Sequence, residues 1–535
     1  MMSPVLRMML VTAFACTVSL AAEVAPGKGP AALADALAVL RVNDPRMLDR
    51  ETTQFAAALG INPAPLRSAM ANLLFRSRLL DGIDLSRPAL MAWRAQEPSL
   101  VAVIPLSDRR IFLENFGAGF AGDAPLIRVG ERDGTVVYTQ NGNDGLLEYR
   151  LMVSDRAAYL ASTVALCREL AEYPLQPQAS EAPLVFTASA EFLARLADQA
   201  ELTSGLTPEQ RTAMETLNPG QASMKKMFGA GWKAFTSQLT KVELSVRPDP
   251  LGTMNFALQI QAHPDSALAV WIGNQRNQPS RLLPILRSNQ SVFTLAGNIV
   301  WQTQAERLGK IFTPVMQEIY ADRWTPAVDE NWTAMWALFD RAGPFAMAVD
   351  VDLKAGKAVT ESRVLGDQPS AQELMSLITL VSQSLTGTVG EAVTVGNATG
   401  YREQDPQGER VLVSNERHLV SVQSTMRSAV DAATEVITRS QTIGVPEGQA
   451  GVLQLSANLT PLVRTLVVIM GGELQPGLPT AVCGMTIKTG LLGQLIAEGT
   501  FPAPTVAQLI RDSGLIRVND TIEAGPTTKP VPKRR

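Results

Sequence analysis

The sequence predicts an α+β fold built by internal duplication, with two tandem copies of a mostly antiparallel sheet, each flanked by helices. Three observations lead there. The stretch RLMVSDRAAYLASTVALCREL from Arg150 to Leu170 returns as RVLVSNERHLVSVQSTMRSAV from Arg410 to Val430, setting Arg150, Val153 and Ser154 against Arg410, Val413 and Ser414 without a gap. A second stretch, LVFTASAEFLARL from Leu184, returns as LQLSANLTPLVRT from Leu453, with Leu193 and Arg195 against Leu462 and Arg464. Between these units, short apolar runs come in hairpins and helical patterns come singly, as an antiparallel sheet with helices on it requires.

Taken in order, ALAVLRVND from Ala36 is a strand that stops at Asp44-Pro45. Met47, Leu48, Phe55 and Leu59 then have helical spacing, and a second helix from Pro63 carries Leu66, Met70, Leu73 and Leu74. PALMAWRAQEPSLVAVIPL from Pro88 reads as two strands about a Glu97-Pro98 turn, and Asp108 opens a helix where its carboxylate suits the free amides. The following strands turn at Asp133-Gly134 and Asn141-Gly142, dipeptides that tolerate positive φ. The second half answers with SVFTLAGN from Ser291, a long helix from Trp301, the hairpin FAMAVDVDLKAGKAVTESRVL from Phe345, a helix from Ser370, and strands turned at Asp405-Pro406-Gln407-Gly408. Each half closes on a hairpin, from Val242 or Ala481, that leads into a short helix. This order places the first repeat at 23–278, with a helical insertion at about 200–240, and the second at 279–516. A Pro-rich tail, 517–535, ends in basic residues; its composition predicts disorder and a weak contact with an anionic surface.

Of the 535 residues 46% are hydrophobic and 18% charged, which suits a packed globular chain, and the net charge of −4 supplies no basic field for nucleic acid. Residues 1–22 read as a secretory signal, with Arg7 before the apolar run Met8 to Leu20 and small residues before a cut near Ala21 or Ala22. The mature protein is then expected to be periplasmic or extracellular. That run is too short for a spanning helix, and no other stretch suffices, so the mature chain is expected to lack a transmembrane segment. Cleavage leaves Cys167 and Cys483, which do not fall at equivalent repeat positions and read as small buried hydrophobes.

Motifs for chemistry are sparse. His263 and His418 are the only histidines, without zinc spacing, so no metal and no cofactor is expected. One constellation has the order used by penicillin-binding proteins and serine β-lactamases: Ser223-Met224-Lys225-Lys226 as SxxK, Ser456-Ala457-Asn458 as SxN, and Lys488-Thr489-Gly490 as KTG. Its chemistry needs Ser223, Lys226, Asn458 and Lys488 in one pocket. The duplication argues against it, because SxxK belongs to the insertion and KTG to a hairpin whose counterpart is Arg247-Pro248-Asp249. No catalytic residue is assigned.

Five of the seven tryptophans, Trp271, Trp301, Trp324, Trp332 and Trp336, lie near the junction of the copies in sequence. Large amphipathic rings pack interfaces and also line grooves, and Trp301, Trp332 and Trp336 are the residues a ligand site at that junction would use. The opening LADALAVLRVND, the segment DGIDLSRPALMAWR and the alternation of hairpins and helices resemble exported bacterial proteins of unknown function. The resemblance implies an exported bacterial protein and carries no activity. The expectation is a cell-envelope protein acting as a non-enzymatic binding or scaffolding module for an envelope ligand or protein; the alternative is a serine acyl-transferase or hydrolase of penicillin-binding type.

Overall fold

The computed structural model describes residue 33 and residues 35–515, except 96–98, 118–124, 143–144, 173–174, 176–181, 196–228, 302–303, 355–356, 388–389, 406–407, 442–444, 473–476 and 491–492. The signal segment, the tail, the SxxK tetrad and most of the insertion lie outside the described residues.

Apolar runs, punctuated by turn residues, make the described residues of the first half a run of ten strands: β1 (Ala36–Val42), β2 (Ala89–Arg94), β3 (Leu100–Pro105), β4 (Ile127–Arg132), β5 (Thr135–Gly142), β6 (Gly145–Val153), β7 (Ala157–Ala161), β8 (Leu184–Ser189), β9 (Leu239–Pro248) and β10 (Met254–Ala262). Asp133 and Gly134 both take positive φ, 54° and 73°, and close the two-residue β4–β5 turn as the sequence leads one to expect. Across the sheet the strands lie β4-β5-β6-β7-β3-β2-β1-β8-β9-β10, all antiparallel.

After a short β11 (Gln278–Ser280), the second half supplies β12 (Ser291–Gly297), β13 (Phe345–Lys354), β14 (Lys357–Asp367), β15 (Glu391–Val395), β16 (Ala398–Asp405), β17 (Gly408–Ser414), β18 (His418–Ser424), β19 (Glu447–Gly451), β20 (Leu453–Asn458), β21 (Val482–Thr489) and β22 (Gln494–Phe501). Their order is β15-β16-β17-β18-β14-β13-β12-β20-β21-β22. Strand for strand this is the path of the first half. β10 and β22 pair antiparallel from Met254 against Phe501 to Gln261 against Gln494, so one twenty-stranded sheet runs through both halves. β11 and β19 form a separate ribbon, and the boundary expected at 278/279 falls inside β11.

Equivalent hydrogen bonds accompany the equivalent order. Asn43, just past β1, donates its backbone N–H to Pro183 O (2.7 Å) and its side-chain amide to Ala182 O (2.8 Å). Asn298, just past β12, does the same to Val452 O (2.8 Å) and Gly451 O (3.3 Å). The match of Leu184 with Leu453 therefore holds in the pairing, since they face Val42 and Gly297 respectively. The match of Arg150 with Arg410 is one residue out. Arg150 pairs with Ala161, and the residue in its place is Val411, which pairs with Val422; the hairpin turns are closed by Ser154 N–H to Ala157 O and by Asn415 N–H to His418 O. Because side chains alternate, a slip of one residue reverses the face. Arg150 is accordingly buried and ion-paired to Glu148 at 2.6 Å, whereas Arg410 is exposed.

Helices cover the sheet unequally. α1 (Pro45–Leu59) starts where Asp44 accepts the Met47 amide and ends at Gly60 with φ 70°; α2 (Ala64–Phe75) and α3 (Arg109–Asn115) follow, with Asp108 accepting the Ile111 amide at 3.0 Å. They pack Leu48, Leu73, Phe75 and Phe112 onto Leu40, Met91, Ala102 and Leu160. The alternate residues Val39, Leu90, Val101 and Ala161 face the other way, onto Cys167 and Leu170 of α4 (Val164–Glu172).

The last helix of each half crosses to the other half. In α5 (Ala267–Asn274), the Trp271 indole N–H donates to Val300 O at 2.8 Å, and Gln275 beyond its end exchanges hydrogen bonds with the Val300 backbone. The second half adds α6 (Leu283–Leu286), α7 (Gln304–Ile319), α8 (Pro326–Phe339), α9 (Ala371–Thr386), α10 (Ala429–Ser440), α11 (Leu459–Ile469) and α12 (Ala503–Asp512). α12 packs on α1, and a Cβ at Gly252 in the β9–β10 turn would meet Pro504 Cγ at 3.0 Å. Among the described residues no helix is long and apolar enough to cross a membrane.

Candidate functional site

The four strands at the seam of the halves, β9, β10, β22 and β21, are amphipathic with period two. Val242, Leu244, Val246 and Leu258 point into the core beneath the helices. The intervening residues are mostly polar, with Ala257, Gly484 and Ile496 among them, and form rows across six adjacent strands. One row runs Thr294, Ser456, Gly484, Thr500, Asn255, Arg247; the next runs Ala296, Gln454, Thr486, Glu498, Ala257, Ser245. At about 4.8 Å per strand, Thr294 and Arg247 stand roughly 24 Å apart.

This polar face is the floor of a half-open trough of about 720 Å³. Leu283 and Arg287 at α6 and residues 447–449 of β19 form its wall. Gln454 ties wall to floor by donating to Gln449 O at 2.5 Å, and Gly448, at φ 91°, leaves room for it, because a Cβ there would stand 2.2 Å from the Gln454 amide oxygen. The charges are balanced. Arg287 pairs with Glu447 at 2.7 Å, and Lys488 donates to Glu498 at 2.6 Å. Thr294 and Thr486 are more than nine-tenths buried yet line the trough, and among the described residues nothing hydrogen-bonds their hydroxyls.

The tryptophans expected at a site lie away from the trough. Trp301 is half-buried near the junction, beside the Val300 carbonyl that Trp271 holds. Trp332 and Trp336 sit inside the layer formed by α7, α8 and α9, stacked edge to face at 5.6 Å, with Trp324 5.8 Å from Trp332. Trp332 is buried, and its indole N–H donates to Thr313 Oγ1 at 3.0 Å. Trp336 packs over Gly309, where a Cβ would meet its ring at 2.6 Å. Trp332 and Trp336 join helices to one another, because α8 packs back on α7 and α9 within its own half. None of the three touches the trough.

Ser223 and Lys226 lie outside the described residues, and Asn458 and Lys488 lie apart. Asn458 pairs with Val482 at one end of the β20–β21 ladder, and Lys488 lies six residues further along β21, about 20 Å away at strand rise. The Asn458 side chain accepts the Thr460 amide at 3.1 Å as the cap of α11, and Lys488 is held by Glu498. Neither is placed for acyl transfer.

Cys167 lies fully buried on the sheet-facing side of α4, where burial pushes its thiol up to about 11, and Cys483 lies on β21 with its thiol also raised by burial. Among the described residues no cluster of three or more His, Cys, Asp or Glu side chains could hold a metal ion. A buried ionic network does stand out. Arg363 pairs with Asp350, which also accepts from Ser288 and Ser291 at 2.7 Å each, and Arg427 grips Glu361 at 2.9 and 3.1 Å and Glu435 at 2.8 Å. Arg363, Asp350 and Glu361 are buried between β13 and β14, while Arg427 and Glu435 carry the network out to the surface.

His418, 9% exposed at the β17–β18 turn, has its pKa lowered from the usual 6.5, chiefly by burial, with Asp367 opposing and Arg417 assisting. The folded state thus favours neutral imidazole. Its contribution is present above pH 6.5 and lost as pH falls through the lower folded value. His418→Gln is expected to flatten the acid side of the stability profile below pH 6.5, read as the urea midpoint at each pH; an unchanged slope would contradict this.

The seam hairpins themselves were legible as strands, but their joint polar face was not, since it exists only once β10 meets β22. A scan for strands whose alternate positions are mostly polar, applied to all four, would have found it. No family model, no curated protein and no solved structure matches the chain.

Proposed function

We propose that the protein is a non-enzymatic binding module of the bacterial cell envelope, exported by its N-terminal signal, whose two halves arose by internal duplication and jointly form one ligand trough. The observation carrying this reading is the trough at the β10–β22 seam, with a floor drawn from both halves. Concave, hydrogen-bonding surfaces at the junction of two structural units are where ligands commonly sit. The repeated strand order and the matched Asn43 and Asn298 hydrogen bonds support the duplication. The separation of Asn458 from Lys488 and the engagement of both elsewhere favour binding over acyl transfer.

An environment-sensitive fluorophore attached to Ser456→Cys reads occupancy of the floor directly. Soluble saccharides, peptides and lipid vesicles are the classes to titrate. At least one class is expected to shift the emission saturably, and Thr500→Trp, which fills the floor, is expected to abolish the shift. If no class shifts it, the binding-module reading fails.

A further inference from the structure

We infer that the trough takes a neutral, linear oligosaccharide lying across the strands, an assignment that rests on the binding-module reading above. The lining charges cancel: Arg247 and Arg287 against Glu447 and Glu498. Arg287 and Glu498 are already ion-paired within the protein, so an anionic or cationic ligand would have to displace a partner rather than find one waiting. What the floor presents instead is hydroxyl and amide groups in rows at one-strand spacing, able both to donate and to accept. That is the complement of a polyol, whose hydroxyls recur at each ring along a chain.

Two features point to a ligand rather than to a merely polar surface. Thr294 and Thr486 are buried to more than nine-tenths, and each leaves its hydroxyl without a hydrogen-bond partner among the described residues while lining the cavity. The residues are enclosed, but their hydroxyl oxygens are not among the enclosed unpartnered side-chain atoms, so both oxygens open onto the trough and can meet a group that arrives from outside. Gly484, between Ser456 and Thr500 in the same row, removes the one side chain that would interrupt the floor. Stacked recognition is disfavoured. The single aromatic residue of the lining, Phe256, has its ring against Gly499, where a Cβ would stand 2.0 Å from it.

Isothermal titration of the full chain with three hexasaccharides, β-1,4-linked N-acetylglucosamine, β-1,4-linked glucose and α-1,4-linked glucose, tests the assignment. At least one is expected to bind. Thr486→Val, which keeps the shape and removes the hydroxyl, should weaken that binding about tenfold, while Thr486→Ser should restore most of it. A Thr486→Val protein that binds as well as the parent overturns the role given to this hydroxyl. The fluorophore at position 456 separates the two readings. If it responds to peptides or charged ligands and to no hexasaccharide, the glycan assignment is overturned and the trough remains a binding site; if it responds to nothing, both fall.

Discussion

Replacing Arg363 with alanine is expected to destabilise the protein by about 3–5 kcal/mol, the cost of stripping one partner from a buried ion pair. Arg363 is 3% exposed and its guanidinium holds Asp350, while its Nε lies 3.5 Å from Glu361, too far for a hydrogen bond. Asp350 and Glu361 stand directly opposite one another on β13 and β14. Two carboxylates in that position repel, and the low polarity of the interior magnifies the repulsion. Without Arg363, Asp350 keeps only the hydroxyls of Ser288 and Ser291, whereas Glu361 keeps Arg427. The loss should appear as a fall in the urea midpoint of the second half. Arg363→Met combined with Asp350→Asn should recover much of it, because the double variant leaves no unpaired buried charge on that side. A single variant as stable as the parent would show that the network contributes nothing.

Trp332→Ala is expected to cost about 3–5 kcal/mol and to leave ligand affinity unchanged. The side chain is 7% exposed between Trp324 and Trp336, and its removal leaves a cavity at the centre of the α7–α8–α9 layer. It also deprives the Thr313 hydroxyl of a donor at 3.0 Å, although that hydroxyl still donates to Gly309 O at 2.7 Å. Trp332→Phe should fall between, retaining ring contacts without the hydrogen bond. Urea unfolding and titration of whichever ligand the trough accepts are both needed. A drop in affinity at unchanged stability would return this tryptophan to a binding role and displace the trough from the centre of the argument.

The two residue matches in the sequence had different fates for a physical reason. LVFTASAEFLARL and LQLSANLTPLVRT carry a strand followed by the start of a helix, and both strands are anchored by an asparagine just past the neighbouring strand, so register and identity coincide. In the Arg150 and Arg410 hairpins the identities reside in common apolar and basic residues. The turn, closed by Ser154 in one and by Asn415 in the other, sets the pairing one residue later. The tryptophans lie away from the trough for a similar reason. Their nearness in sequence reflected a run of two helices, and Gly309 and Thr313 on α7 receive Trp336 and Trp332 within that layer.

What the sequence by itself determined is local. Asp44, Asp108 and Ser266 mark helix starts because a short side chain reaches an amide three residues on, Asp133-Gly134 turns a hairpin because both residues accept positive φ, and period-two alternation makes strands. These choices depend on neighbours within one turn, so they can be read from the order of residues, and the α+β class follows from their sum. Tertiary structure decided what depends on residues hundreds of positions apart: the pairing of β10 with β22, the crossing of α5 and α12 to the opposite halves, and the two polar rows from Thr294 to Arg247 and from Ala296 to Ser245. Each strand alone shows only that alternate positions are mostly polar. A floor arises because backbone hydrogen bonds align six such strands in one register, and that alignment is fixed by packing on the opposite, apolar face.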